Sequence, residues 1–598
     1  MIYRRLNVNL TQYCSKIMKI KHLFGLAVIA AMTASCSSNE DLGTAGPGTG
    51  TNETGVGYAT FTINLPSTNG TRAGGAPTYD QGTAKEYDVN DVTLLIFQKA
   101  GASEDEYTFV ERADLGNMAP WKTEGADGIT ASATITAKLN NVALTSEGST
   151  SDYYALAILN NKNSADEDKI TLPTSSPTSP VTYGNWNVAS NADETKFKDN
   201  TKGFYMANAP VYIAGGEPTT LVNIDKVYAT KQKAETNAAT TIHVERGLAK
   251  VTVADLPTDK SPSGTKYTGD KVDITAWKLD VTNKSTFPIH KTAGLSEKFT
   301  TIWGNVHGTA PVTARFVDAS NTAFSRVYWG VDPNYSTDLC DETACKGAFN
   351  ILDPNAEING TATEPQYCLE NTFDIKHMMQ GQTTRVVFKA TYTPNGFTKG
   401  KTFYKIGNST DLWKEVDLVT QIKAKAAEVL GVATSEITVE LEAASNNLNE
   451  AGTRLLTVDN VKIKNSSAAV SQDNIDKINA KLGLKEAGTD PIVGIATYKG
   501  GESYYIARIK HFGDADTPWN EGEATYGDND DTHNTKYLGR YGVLRNNWYE
   551  LTIGSVSGPG TPDVPTIKPA EPDDESYKYI SVSVKILSWA KRSDTVDL

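Results

Sequence analysis

The sequence predicts an all-β protein of two antiparallel β-sandwich domains, with a small helical insertion in the second. Three observations predict it. The chain of 598 residues holds 27 Tyr and 48 Gly together with abundant Thr, Val and Asn, the residues of pleated strands and their turns. Short segments alternate apolar and polar residues between polar loops, a spacing that suits sandwiches rather than βαβ units. Helical periodicity is confined to residues 410–482.

Taken in order, the chain opens with Arg4, Arg5, Lys16, Lys19 and Lys21 ahead of an apolar run, Leu23 to Met32, and then Thr33-Ala34-Ser35-Cys36. The run is too short to span a bilayer, which takes about 20 residues. Charge, apolar run, small residues and cysteine in that order are a lipoprotein signal peptide, residues 1–35, with Cys36 as the lipidation site. Thr33 stands where Leu is usual, and a start at Met18 would give a more ordinary signal length. Ser37-Ser38-Asn39-Glu40-Asp41 resembles the acidic export signal of Bacteroidetes lipoproteins bound for the outer face of the outer membrane. Residues 36–56 form a flexible tether.

Tyr58 to Leu65 alternates strictly, with Ala59, Phe61, Ile63 and Leu65 on one face and Tyr58, Thr60, Thr62 and Asn64 on the other. Gly70-Thr71-Arg72-Ala73-Gly74-Gly75 follows as an exposed loop that a protease can enter without unfolding a domain. Strands over Asp91–Phe97, Ala133–Leu139, Tyr153–Leu159 and Gly203–Met206 complete a first domain, 57–238. The second, 239–598, opens with His243–Val253 and Val272–Val281. Within it, Thr410–Leu430 has helical spacing, a capping Thr and Gly431 past its end, and Ser471–Leu482 is a shorter helix.

The C-terminal tail is the most informative stretch. Residues 558–572 carry five prolines, form neither core strand nor helix, and read as an extended leash of about 40 Å. Tyr579–Trp589 then gives a clean strand with Ile580, Val582, Val584 and Ile586 on one face. A strong strand at the end of a long leash is not how a single domain ordinarily ends.

Chemistry is sparse. The net charge of −14 argues against nucleic acid, whose phosphates call for a basic face. The seven histidines form no metal-binding pattern, no nucleophile elbow or phosphate loop occurs, and the reading is no enzyme, no cofactor and no metal. Asp514, Asp516, Glu521, Glu523, Asp528, Asp530 and Asp531 cluster, but their register fits no known calcium loop. Cys14 falls in the signal segment; Cys340, Cys345 and Cys368 allow either a Cys340–Cys345 disulfide or burial of all three. Trp277, Trp329 and Trp589 read as core. Trp121, Trp186 and Trp519 sit in loops as candidate sugar platforms.

Several segments carry a family resemblance. Val244-Glu-Arg-Gly-Leu-Ala-Lys250, Arg326 to Tyr335, Glu370-Asn-Thr372 with Thr383 to Val387, Tyr537 to Leu551 and Ile586 to Arg592 closely resemble the major, Mfa-type fimbrillins of Bacteroidales type V pili. The likeness runs over most of 57–598 and is strongest beyond 240. It implies transthyretin-like sandwiches and a precursor at the outer membrane, lipidated on Cys36. It further implies cleavage between Arg72 and Ala73 by an arginine-specific protease, and polymerisation by strand exchange into a cell-surface fimbria. Ala59, Phe61, Ile63 and Leu65 are then the released strand, and Ile580, Val582, Val584 and Ile586 the donor. The partners implied are other copies of the chain and the fimbrial anchor and tip subunits. Two readings compete with a shaft subunit: a fimbrial tip or accessory adhesin, and a surface glycan-binding lipoprotein of a nutrient-uptake system.

Overall fold

The computed structural model describes residues 56–65, 83–123, 131–174, 178–199, 201–212, 217–292, 294–295, 315–317, 325–339, 341–486, 492–512, 516–517, 537–573 and 580–588. The first half is one long sheet folded over a core. Its strands are β1 (Gly57–Asn64), β2 (Val92–Gln98), β3 (Thr108–Asp114), β4 (Lys122–Thr123), β5 (Ala131–Leu139), β6 (Tyr153–Leu159), β7 (Met206–Asn208) and β8 (Thr240–Arg246). They lie in the order β3-β2-β6-β7-β8-β1-β5-β4, with Val222–Asn223 added against β6.

β2 and β6 read as near-continuous apolar runs because both their faces are covered. Leu94 and Ile96 join β1 and β5 in one core, while Leu95 and Phe97 face a second, with Trp186 of helix α2 (Tyr183–Ala189). That second core also takes in Ile289 and Leu369 from later in the chain, which ties the two halves together. A short turn of helix, α1 (Ala84–Tyr87), precedes β2.

The chain leaves the first sheet at Gly247-Leu248, beyond the boundary expected near 238. His243 to Arg246 continue the alternation begun at Thr240, so β8 completes the first sheet before the chain crosses. The second half packs a four-stranded sheet on a three-stranded one. The first has the order β11 (Gln366–Cys368), β9 (Ala249–Val253), β14 (Asn547–Val556), β15 (Ile580–Ser588); the second has β10 (Lys271–Asp280), β12 (Arg385–Thr393), β13 (Glu502–Arg508). Val251, Leu551, Trp277, Phe388 and Tyr505 lie in the core between them.

The helical insertion leaves after β12 and returns before β13, and those two strands are hydrogen-bonded neighbours. It has its own core of Leu418, Ile422, Ile475 and Ile478. Its long helix, α3, spans Glu415–Leu430 rather than starting at Thr410, because Leu412–Trp413 pairs as a strand with Tyr404–Lys405. Gly431 ends α3 in the left-handed conformation expected of it (φ 67°). The second helix, α4, covers Gln472–Lys481.

Candidate assembly site at the first and last strands

β1 is an interior strand. It runs antiparallel to β5 at every position from Gly57 to Asn64, and parallel to β8 from Phe61 to Asn64. Nearer its start, Tyr58 exchanges both backbone hydrogen bonds with Tyr228, each 2.8 Å. Ala59, Phe61, Ile63 and Leu65 are at most 2% exposed and meet Leu94, Ile96, Ala133 and Ala157 in the core. On the opposite face, Thr60 and Thr62 pair their hydroxyls with Thr136 and Thr134 of β5 at 2.8 and 2.9 Å. Lifting β1 out would leave an apolar floor between two unpaired strand edges, β5 and β8.

β15 is antiparallel to β14, and among the described residues no strand lies beyond it. The ladder is broken by an irregularity between Ile553 and Ser555, where β15 continues from Val582 to Ser581. In this single chain the strand carrying Ile580, Val582, Val584 and Ile586 therefore lies on its own sheet.

The segment expected to be a free leash is instead a docked strap across the outer face of the β10-β12-β13 sheet. Prolines keep it extended, but its carbonyls are used. Tyr505 and Tyr498 donate their hydroxyls to the Gly558 and Gly560 carbonyls at 2.9 Å, and Ser503 donates to that of Pro559. Tyr504 and Thr561 exchange backbone hydrogen bonds of 2.8 and 2.9 Å. Gly560 has φ 62°, and a β-carbon there would stand 2.4 Å from the Tyr504 carbonyl, so this crossing requires glycine. Val564 is buried against Ala276, Val387 and Ile506, and Arg385 donates to the Pro565 carbonyl while holding Asp280 at 2.7 Å. The strap ends at Asp573, fully buried, which accepts from the Thr383 hydroxyl at 2.8 Å and donates its N–H to Met378.

A buried charge cluster that sequence reasoning missed joins the halves. Glu86 of α1 meets Lys250 of β9 at 2.9 Å and accepts from the Tyr367 hydroxyl; the Lys250 ammonium lies 3.8 Å over the Trp548 ring of β14. Burial pushes the Glu86 carboxyl up, but Lys250 and Tyr367 together bring it below its ordinary range. Glu245 holds His290 at 2.8 Å, and Arg545 reaches Glu370 through two hydrogen bonds, one of 2.9 Å. The motifs behind the family resemblance, around Arg326, Glu370 and Tyr537–Leu551, thus meet in buried structural contacts. Nothing local marked Glu86, in Ala84-Lys85-Glu86-Tyr87, and Lys250 stood out only as a charge beside Leu248, Ala249 and Val251.

Cys36, Arg72 and Ala73 lie outside the described residues, as do Trp519, Trp589, Cys340 and all of the acidic cluster except Asp516. Trp186 is buried with its indole N–H on the Thr171 carbonyl at 2.9 Å, so it is no sugar platform. Trp121 is half-buried and donates to the Asn117 carbonyl. Trp277 and Trp329 are core residues, and Cys345 and Cys368 are buried. Among the described residues, no group of three His, Cys, Asp or Glu is placed to hold a metal ion, and no helix is long and apolar enough to cross a membrane.

Residues 496–595 match the family described as major fimbrial subunit protein type IV, fimbrillin, C-terminal. That segment takes in β13, β14, the strap and β15. No curated protein matches the sequence. Among solved structures, a fimbrilin from Porphyromonas gingivalis aligns at 11% identity over 90% of this chain and 99% of its own, with a TM-score of 0.33. The C-terminally truncated tip fimbrial protein Mfa3 of Porphyromonas gingivalis aligns at 12% identity over 89% and 100%, with a TM-score of 0.29. A fimbrial assembly protein from Parabacteroides distasonis aligns at 12% identity over 59% and 93%, with a TM-score of 0.27.

Proposed function

The C-terminal region is of fimbrillin type, and from that premise we propose that the chain is a structural, non-enzymatic shaft subunit of a cell-surface fimbria. In this reading it is exported to the outer membrane as a lipoprotein acylated on Cys36. It is cut between Arg72 and Ala73 by an arginine-specific protease, and joined to its neighbours when β15 of one copy replaces β1 of the next. Anchor and tip subunits would close the two ends of the fibre.

The observation that carries this reading is the position of β1. It precedes Arg72, so a cut there severs its covalent link to the rest of the fold, and noncovalent contacts alone then hold it. Phe61, Ile63 and Leu65 each hold about 1.5–3 kcal/mol of burial, so an emptied slot forgoes on the order of 5–9 kcal/mol before its ladder hydrogen bonds are considered. Among the described residues β15 has one neighbouring strand at home, and it would have two in the slot. The contact is head-to-tail and does not close on itself, which yields a fibre rather than a dimer.

The test is removal of residues 579–598. The truncated protein is expected as folded, lipidated monomer, with no heat-resistant ladder of multimers in detergent. Val582→Asp with Val584→Asp should behave likewise, since an unpaired charge in a dry slot costs several kcal/mol. Fibres formed by either variant would overturn the reading. For the export step, Cys36→Ala should leave unprocessed precursor in the inner membrane; normal surface assembly would refute lipidation there.

A further inference from the structure

β1 and β15 share a pattern in finer detail than alternation. Ala59-Thr60-Phe61-Thr62-Ile63-Asn64-Leu65 and Ile580-Ser581-Val582-Ser583-Val584-Lys585-Ile586 agree position by position, apolar for apolar and hydroxyl for hydroxyl. The two hydroxyls matter because β5 presents Thr136 and Thr134 to receive those of Thr60 and Thr62. Resting on the strand-exchange reading above, we infer that β15 enters a neighbour's slot in a single register: Ile580, Val582, Val584 and Ile586 take the places of Ala59, Phe61, Ile63 and Leu65, antiparallel to β5, and Ser581 and Ser583 stand opposite Thr136 and Thr134.

Other registers are blocked by the sequence itself. A slip of one residue turns Ser581, Ser583 and Lys585 onto the apolar floor. A slip of two in one direction brings Lys578 to the position of Ala59, which is 1% exposed. A slip of two in the other direction puts Ser588 at Leu65 and Ile580 at Gly57, where a β-carbon would stand 2.3 Å from Val227 Cγ1. In the matched register Lys578 would fall at Gly57, so the donor leaves the path of β1 just before that position. Lys585 falls at Asn64, 6% exposed but the last position of the ladder and polar already, beside half-buried Ser132 and His243, so its ammonium must reach past that end along its aliphatic stem. Ile580 is larger than Ala59 and Val582 smaller than Phe61, so bulk moves one pair along the same face and the total is roughly kept.

Cysteine pairs read the register directly. Opposed positions on antiparallel strands lie about 4.5–5.5 Å apart at Cα, within disulfide reach, whereas positions two residues out of register do not. Thr134→Cys with Ser583→Cys in one full-length chain, processed and assembled, should give an oxidised ladder of covalent multimers. Thr136→Cys with Ser583→Cys should give at least tenfold less. If the first pair does not assemble, Thr136→Cys with Ser581→Cys carries the same test. A ladder from the mismatched pair overturns the register and leaves strand exchange standing. Fibres with no cross-link from either matched pair also overturn it, and deletion of residues 580–588 then decides the larger question. If fibres vanish, β15 is the donor in another geometry. If they persist, the exchange reading itself fails.

Discussion

β1 and β15 are written in nearly the same pattern and are held in opposite ways. β1 has a strand on each side, an unbroken ladder against β5 and a core beneath it. β15 has one neighbour among the described residues and a ladder interrupted at Ile553/Ser555. The pattern alone reports that a segment forms a half-buried strand. Which strand can leave, and which site would keep a replacement, depends on how many neighbours each has. A strand paired on one side and a deep slot far from it in sequence would be the two halves of the proposed joint.

The comparison breaks most visibly if β15 is prevented from leaving. Thr552→Cys with Ser583→Cys pairs opposed positions of β14 and β15, and oxidation should reduce fibre formation to background, restored by reductant. Tyr504→Cys with Thr561→Cys pins the strap in the same fashion and should leave assembly intact, since the strap is expected to stay when the strand goes. Loss of fibres on pinning the strap would show that strap and strand move together.

A second contrast uses processing. Phe61→Ala should destabilise the uncut precursor by about 3–5 kcal/mol, read by denaturant unfolding, and leave the trimmed subunit unchanged. An equal loss in both forms would mean that β1 is retained after cleavage. N-terminal sequencing of fibres should begin at Ala73, and a start before residue 58 would contradict release. Asp573→Ala removes the strap's terminal side-chain anchor and leaves the Thr383 hydroxyl to the Met379 carbonyl alone, with an expected cost of about 0.5–1.5 kcal/mol on the second half alone. Smallest is Thr62→Val. Its partner Thr134 is exposed, so a few tenths to 1 kcal/mol is expected in the precursor.

Much of this was legible in the sequence because period-two patterning survives wherever one face is buried. Tyr153–Leu159 is found at the boundaries read from the sequence, β1 shifts by a residue at each end, and every described residue of Tyr579–Trp589 is strand. The insertion and its Gly431 stop were likewise visible. What was hidden depends on partners far along the chain. Composition says that Gly558–Pro572 forms no ladder of its own, but nothing local says that Tyr498 and Tyr505 aim their hydroxyls at its carbonyls. Trp186 lies among Gly and Asn and looks exposed until Thr171 is seen to accept its N–H. Glu86 and Lys250 are charges in otherwise ordinary surroundings, more than a hundred and fifty residues apart (164), and only the fold brings them together.

A joint of the proposed kind would also have to bear tension. A pull on a donated β15 would enter its subunit at Ile580 and meet Asp573 before it reached any sheet edge. From there the load would pass to Thr383 and Arg385, at the start of β12, the middle strand of its sheet. The carbonyl contacts of the strap would then be loaded side by side, in shear, rather than peeled one at a time from β14. In the proposed exchange the strap would work as a rope taken around a post: the subunit would resist extension along the fibre axis while the strand linking it to its neighbour stayed free to change partners.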